Sequence, residues 1–493
     1  MKKLLNKKSI PHLLEEARAN EHGLKKTLGM WSLIALGVGA IIGAGLFVNT
    51  GRAAAEAAGS GVTLSFAVAA IGCAFAGLCY AEFASTIPIA GSAYTYSYAT
   101  LGEIVAWIIG WSLVMEYALG AATVSIAWSE YLNNLLGGAI PYEWCHSPFE
   151  HKLIGKDTIP TNGIMNLPAL SILAILTLLL IKGTQESAFI NGIMVFIKVA
   201  IVLIFIIVGW NYIKPENHTP YLIPESTIGH EGIFKWGWGG VLGGAAIVFF
   251  AFIGFDAVST AAQEAKNPKR DMPIGILGSL IICTILYILF AHVLTGIANW
   301  KEFGAGAAGG EASVSYAIKQ MAGYEWLGTS VNIAILAGFS SVILVMLMGQ
   351  TRVFYSMSND GLIPKLFSQL HPKFKTPYKS NLLLLVMVGG FAAFIPGSVA
   401  GNLTSFGTLF AFVIVCAGII MMRKNFPDLE RPFKTPLVPL VPILGILVCV
   451  AMIVALDLTT LTVAGIWMLV GLLIYFGYSK HHSKLRKQDQ DKH

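Results

Sequence analysis

Apolar runs of about twenty residues recur along nearly the whole chain, separated by short polar segments. A run of that length crosses the hydrocarbon core of a bilayer as an α-helix. The pattern predicts about twelve such helices, at approximately 29–58, 61–86, 103–134, 165–182, 188–213, 236–264, 273–297, 330–357, 380–396, 402–422, 438–456 and 460–478. They are numbered spans 1 to 12 in this subsection. No soluble domain fits between them, so the expected fold class is an all-α integral membrane protein. Residues 1–28 read as a polar tail, with a short amphipathic helix at His12–Asn20, and residues 479–493 as a second tail.

Two spans interrupt the apolar pattern. Span 1 carries Gly37, Gly39, Gly43, Gly45 and Gly51. A glycine inside a helix costs about 1 kcal/mol relative to alanine. Bare backbone at membrane depth persists only where protein buries it or a cavity hydrates it. The cluster therefore predicts an unwound turn facing a site, where amides would meet an anion and carbonyls a cation. The competing reading is close packing of helices through small residues. Span 6 repeats the oddity with Gly254 and Asp256 at its centre. Two interrupted spans at corresponding places point to inverted repeats. Spans 1–5 (29–213) would form one repeat and spans 6–10 (236–422) the other, with spans 11 and 12 (438–478) peripheral.

Composition agrees with a membrane protein. The chain of 493 residues is 55% hydrophobic and 12% charged, with mean hydropathy +0.68. The net charge of +6 follows topology and gives no nucleic-acid signal. With the N-terminus inside, 25 Lys and Arg fall on the inner side and 6 on the outer. The positive-inside rule then places both termini in the cytoplasm, and the expected location is the plasma (inner) membrane. The first 28 residues lack the apolar core of a cleavable signal peptide. Six cysteines show neither a disulfide framework nor metal-ligand spacing. The segment 87–96 is too polar for lipid and is expected as a short helix packed on the spans.

Few ionisable residues fall at membrane depth, which makes each a functional candidate. Lys198 lies about ten residues from either end of span 5, roughly 15 Å from each surface at 1.5 Å per residue. It requires carbonyls, a carboxylate or water, either as a cation-site ammonium or as a structural ion pair. Glu116 is similarly deep in span 3. A carboxyl group away from water takes up a proton readily, so Glu116 and Asp256 are both candidate proton carriers. Their structural alternatives are a hydrogen bond to a neighbouring helix for Glu116 and a half-helix cap for Asp256. Arg52 and Glu56 sit one turn apart and read as a structural pair.

Several motifs in order resemble the amino acid–polyamine–organocation superfamily. They begin with Gly-Leu-Lys-Lys-Thr-Leu-Gly at 23–29 and Gly-Val-Gly-Ala-Ile-Ile-Gly-Ala-Gly-Leu-Phe-Val at 37–48. The match narrows to the cationic amino acid transporter family and its bacterial homologues. Phe249-Phe250-Ala251-Phe252-Ile253-Gly254-Phe255-Asp256 and the stretch 264–273 carry it, together with 349–361 and 434–439. The similarity covers roughly residues 20–478.

The resemblance implies a five-plus-five inverted-repeat fold, broken helices 1 and 6, and alternating access. It implies that a substrate carboxylate meets backbone around Gly43, Ala44 and Gly45. It places the ammonium at carbonyls near Ile41 or Ile42 and near Phe250, Ala251 and Ile253. Phe250 takes the place of an aromatic gate. Lys198 stands where sodium-coupled relatives bind sodium, with Ser340 and Ser341 as neighbours. Ala44 departs from the pattern, since relatives often carry serine or threonine there.

The expected function is proton-coupled uptake of small or medium neutral amino acids. The expected partners are the amino acid, protons and the bilayer, with no metal, cofactor or nucleic acid. An exchanger or a cationic amino acid permease of the same fold is the nearest alternative. A major-facilitator carrier fits poorly because residues 84–102 contain no Lys or Arg. No nucleophile triad or metal motif points to an enzyme, neither tail could hold the signalling domain of a nutrient sensor, and no pore-loop repeat points to a channel.

Overall fold

The computed structural model describes residues 7–8, 28–87, 92–154, 157–182, 188–260, 262, 265–304, 313–321, 323, 325–374 and 376–490. The expected helix at His12–Asn20, residues 23–27 of the first motif and Glu264 lie outside them.

The first apolar segment is divided as its glycines require. Helix α1 (Met30–Ile41) ends where Ile42 turns to extended geometry, φ −71° and ψ 106°. Gly43 is extended too, and helix resumes as α2 (Ala44–Phe47) and α3 (Asn49–Ala53), followed by a π-helical turn at Ala54–Ala58. The sixth segment breaks in the same manner. Helix α9 (Gly237–Val248) tightens into a 3-10 turn at Phe249–Phe252, and Ile253 is extended. Gly254 has φ +113°, the left-handed region that disfavours any side chain. Helix α10 (Ala257–Thr260) follows.

The other helices are continuous. They are α4 (Val62–Thr86), α5 (Ser92–Thr100), α6 (Glu103–Leu135), α7 (Leu167–Lys182), α8 (Ala188–Gly209), α11 (Pro268–Ile297), α12 (Ser313–Lys319), α13 (Glu325–Asn359), α14 (Tyr378–Phe394), α15 (Gly397–Asn425), α16 (Leu440–Val454) and α17 (Leu458–Ile474). Short helices α18 (Lys480–His482) and α19 (Lys484–Gln490) end the described chain. The short helix expected at 87–96 is α5, displaced toward higher numbers, with 88–91 outside the described residues.

Seven helices are long and apolar enough to cross a membrane, and five shorter apolar helices accompany them among the described residues. The chain is a multi-pass membrane protein. Its outward faces are apolar, as lipid requires: Ile207 of α8 and Leu469 and Leu473 of α17 are well exposed. The all-α expectation holds for the architecture, with one local addition. An antiparallel hairpin, β1 (His151–Ile154) and β2 (Asp157–Pro160), pairs His151 with Pro160 and Ile154 with Asp157 in the segment between α6 and α7. Thr158, Ile159 and Ile154 are β-branched and suit paired strands.

Helices α6 and α13 pack along each other, as do α4 and α11, and α15 also lies against α6. Helix α17 is fastened to α6 by tryptophans. Trp111 stacks on Trp467 at 4.7 Å, and their indole N–H groups donate reciprocally to each other's backbone carbonyls at 2.8 and 3.3 Å. These packed pairs surround the two broken segments and bury them.

Candidate substrate and coupling site

The two breaks meet backbone to backbone. A Cβ placed on Gly45 would lie 2.2 Å from the Ala251 Cα, and one on Gly254 would lie 2.9 Å from the Ala40 carbonyl oxygen. Only glycine allows that approach, so these positions serve the crossing of the breaks as well as their unwinding. Ile41, Ile42, Gly43, Ala44, Gly45, Phe250, Ala251 and Ile253 are all buried there. The first amides after a helix break have no partner one turn back, which leaves the N–H groups of 43–45 without an intrahelical acceptor. Val342 of α13 closes its side, 3.3 Å from the position a Gly43 Cβ would take.

Carbonyls at the breaks are already engaged in part. The Tyr287 hydroxyl, on α11, lies 3.0 Å from the Ile41 carbonyl oxygen and 2.9 Å from that of Ala251. One phenolic proton thus serves an acceptor from each broken segment. Tyr287 does not stand out in the sequence. Its signal was a phenol in the middle of an otherwise apolar run. Farther along the first segment, the Phe47 carbonyl accepts from Tyr131 of α6 at 3.1 Å and from Ser313 of α12 at 3.0 Å.

Lys198 is 3% exposed, and its ammonium donates to the Gly39 carbonyl at 2.9 Å and to the Ser341 Oγ at 2.8 Å. It thereby joins α8, the helix before the first break, and α13. The side chain lies over Gly338, where a Cβ would come within 3.0 Å of its Cε. Ser340, expected beside Ser341, instead donates to Leu336 of its own helix at 2.9 Å. Adjacent positions on a helix point about 100° apart, so one of the two serines reaches the ammonium and the other does not.

Glu116 and Asp256 are both buried and close enough to interact electrostatically. The Tyr117 hydroxyl donates to Asp256 Oδ2 at 2.9 Å, tying α6 to the second break. Glu116 Oε1 has no hydrogen-bond partner among the described residues. Helix α15 packs on this turn, with the position of a Gly407 Cβ 3.4 Å from the Glu116 amide. Phe250 is 4% exposed within the 3-10 turn.

At the far end of the first segment Arg52 pairs with Glu56 at 2.9 Å and reaches Asn402 Oδ1 of α15 at 3.3 Å. Asn402 donates in turn to Asp457, which caps α17. Among the described residues no group of three or more His, Cys, Asp or Glu gathers as a metal site.

A crossing of two broken helices, with a lysine anchored on one of them, is a geometry for holding a small charged solute. Residues 28–477 match the family model of amino acid permeases. The chain belongs to the amino acid permease family. It is 44% identical over 484 residues to the branched-chain amino acid permease BcaP of Bacillus subtilis (strain 168), covering 98% of this chain and 99% of that protein. It is 39% identical over 487 residues to the methylthioribose transporter of the same organism, covering 99% and 100%. It is 33% identical over 431 residues to the vacuolar cationic amino acid transporter 4 of Arabidopsis thaliana, covering 87% and 68%. This permease is thus a member of the cationic amino acid transporter branch of the amino acid–polyamine–organocation superfamily, as its motifs imply, and its function is amino acid transport.

Proposed function

We propose that this permease takes up small and medium neutral amino acids, branched-chain ones included, by proton-coupled alternating access. The observation that carries the reading is the crossing at Gly45 and Ala251, where the two breaks touch backbone to backbone and a carbonyl from each lies against the Tyr287 hydroxyl. An α-amino acid presents one anion and one cation on a single carbon. The amides of Gly43, Ala44 and Gly45 receive the carboxylate. The ammonium meets carbonyls at Ile41, Ile42, Phe250, Ala251 and Ile253. Ala44 offers no hydroxyl, so backbone alone holds the carboxylate. Phe250 closes over the bound solute.

Twelve spans in a five-plus-five inverted repeat, with both termini cytoplasmic in the plasma (inner) membrane, complete the reading. Support comes from the packing: α4 lies on α11 and α6 on α13, the pairs that a pseudo-two-fold axis would relate. Support for neutral substrates comes from the two carboxylates near the breaks, since Asp256 is held by Tyr117 and the turn carrying Glu116 packs on α15. A guanidinium buried without a carboxylate partner is costly. The branched-chain permease at 44% identity points the same way. Lys198 occupies a cation position and repels sodium, while Glu116 carries the proton.

The methylthioribose transporter supplies the rival substrate class, a neutral sugar thioether with neither ammonium nor carboxylate. Purified permease in proteoliposomes, loaded with labelled leucine, separates the two. Valine and isoleucine are expected to compete well, whereas N-acetyl-leucine, leucine methyl ester and methylthioribose compete poorly. Methylthioribose competing at lower concentration than valine would replace the zwitterion reading, and arginine doing so would restore a cationic one.

A further inference from the structure

Helix α5 carries tyrosines at 94, 96 and 98, and the first and last share a face because they are four residues apart. That face meets the end of the bundle where both ends of the described chain lie. Tyr94 donates to Asp360 Oδ2 at 2.7 Å, and the Lys8 ammonium lies 2.7 Å from Asp360 Oδ1. Tyr98 donates to Glu103 Oε2 at 3.1 Å. Glu103 is fully buried and accepts Arg486 Nε at 2.6 Å, the Tyr475 hydroxyl at 2.9 Å and the Ser483 hydroxyl. Arg486 also donates to Tyr475, at 2.9 Å. The Ser479 hydroxyl donates to the Leu362 carbonyl at 2.6 Å, and the Lys484 amide to that of Asp360 at 3.1 Å. Residues 475–490 are thereby strapped across the ends of α6 and α13.

The opposite face of α5 looks at the second break. Tyr96 stacks flat on Phe83 of α4, with centroids 5.0 Å apart. Its hydroxyl is buried and has no hydrogen-bond partner among the described residues. Helix α10 packs against α5. A single short helix therefore has the C-terminal segment on one side and the short half of the sixth segment on the other.

We propose that residues 475–490 are a regulatory strap, which restrains α10 by holding α5 and so sets the turnover rate without touching the substrate. The inference rests on the reading of the chain as a carrier whose broken segments move. Anchoring a tail would need one contact. Here a guanidinium and three hydroxyls converge on one buried carboxylate, in a place where salt screens little. The grip is divided between the strap (Arg486, Tyr475, Ser483) and α5 (Tyr98), so loosening the strap loosens α5. Glu103 keeps three hydroxyl donors when Arg486 is replaced, so the variant retains a satisfied carboxylate.

The test compares Arg486→Gln, Arg486→Lys and Tyr98→Phe with the wild-type permease in proteoliposomes, together with amide hydrogen exchange. Arg486→Gln is expected to raise the maximal leucine uptake rate by about threefold or more, with KM changed less than about twofold. It is also expected to speed amide exchange in 92–100 and 257–260, which report the release of α5 and α10. Arg486→Lys keeps the charge and is expected to stay near wild type. Tyr98→Phe leaves the ion pair intact and is expected to move rate and exchange in the same direction, by less. If Arg486→Gln does not fold, Tyr98→Phe decides alone. An unchanged or reduced maximal rate, or a faster rate with unchanged exchange in 92–100, overturns the strap. A wild-type protein that carries no leucine contradicts the carrier reading instead, and the exchange data still report on the strap.

Discussion

The hydroxyl of Tyr287 lies 2.9 Å from the carbonyl oxygen of Ala251, and the same oxygen atom is 3.0 Å from the carbonyl of Ile41. A phenol has one proton to give, so the crossing holds two acceptors for one donor. The surplus favours an arriving ammonium, which brings three donors.

Tyr287→Phe removes only that oxygen. Phe66 and Phe252 still pack on the ring, with centroids 5.4 and 5.3 Å away. Both carbonyls lose their shared donor and the breaks lose their common tie. An unsatisfied buried acceptor costs about 1–3 kcal/mol, a cost that an arriving ammonium relieves, so KM for leucine is expected to fall about tenfold. Saturation kinetics in proteoliposomes check this, and an unchanged KM would remove Tyr287 from the site.

Gly45→Ala is expected to abolish transport. The new Cβ would sit 2.2 Å from the Ala251 Cα, against backbone that cannot rotate away. Gly338→Ala meets only the flexible Lys198 chain, at 3.0 Å, and is expected to leave measurable uptake. Equal activity in the two variants would show that the breaks are not held in contact.

The breaks were legible in the sequence because glycine inside an apolar run has few physical reasons to persist. Lys198 was legible because an ammonium at membrane depth demands partners. What could not be read was which partners. Ser341 and Ser340 are indistinguishable as letters, and only the helix phase of α13 assigns one to Lys198. Tyr287 and Tyr117 were lost among sixteen tyrosines; a phenol packs as readily as it donates, so its role depends on what faces it. The β-hairpin is not legible because a four-residue strand leaves too little alternation to register.

Glu116→Gln is expected to keep amino acid exchange and lose the pH dependence of net uptake. Glutamine preserves shape but cannot release a proton. Exchange across a range of pH, measured beside net uptake, checks it. Wild-type pH dependence in the variant would transfer the proton to another group.

Asp457 gives a pH effect on stability. Burial raises its pKa, but hydrogen bonds from Thr460 and Asn402 and the Arg52 charge outweigh that and hold the carboxyl below its ordinary 3.8. A depressed folded pKa means stabilisation that is present above 3.8 and lost as pH falls through the folded value. Asp457→Asn is therefore expected to lower the melting temperature of the purified permease at pH 6, with the difference shrinking below pH 3.8. A difference that stays constant down to pH 3 would mean the ionised carboxylate contributes nothing.

The claim that the Lys198 ammonium stands in for a coupling cation is tested most directly by leucine accumulation driven separately by inward proton and sodium gradients. Wild-type permease is expected to accumulate leucine with the proton gradient and not with the sodium gradient, and Lys198→Ala to accumulate it with neither. Sodium-driven accumulation by the wild type, or normal accumulation by Lys198→Ala, would contradict the account.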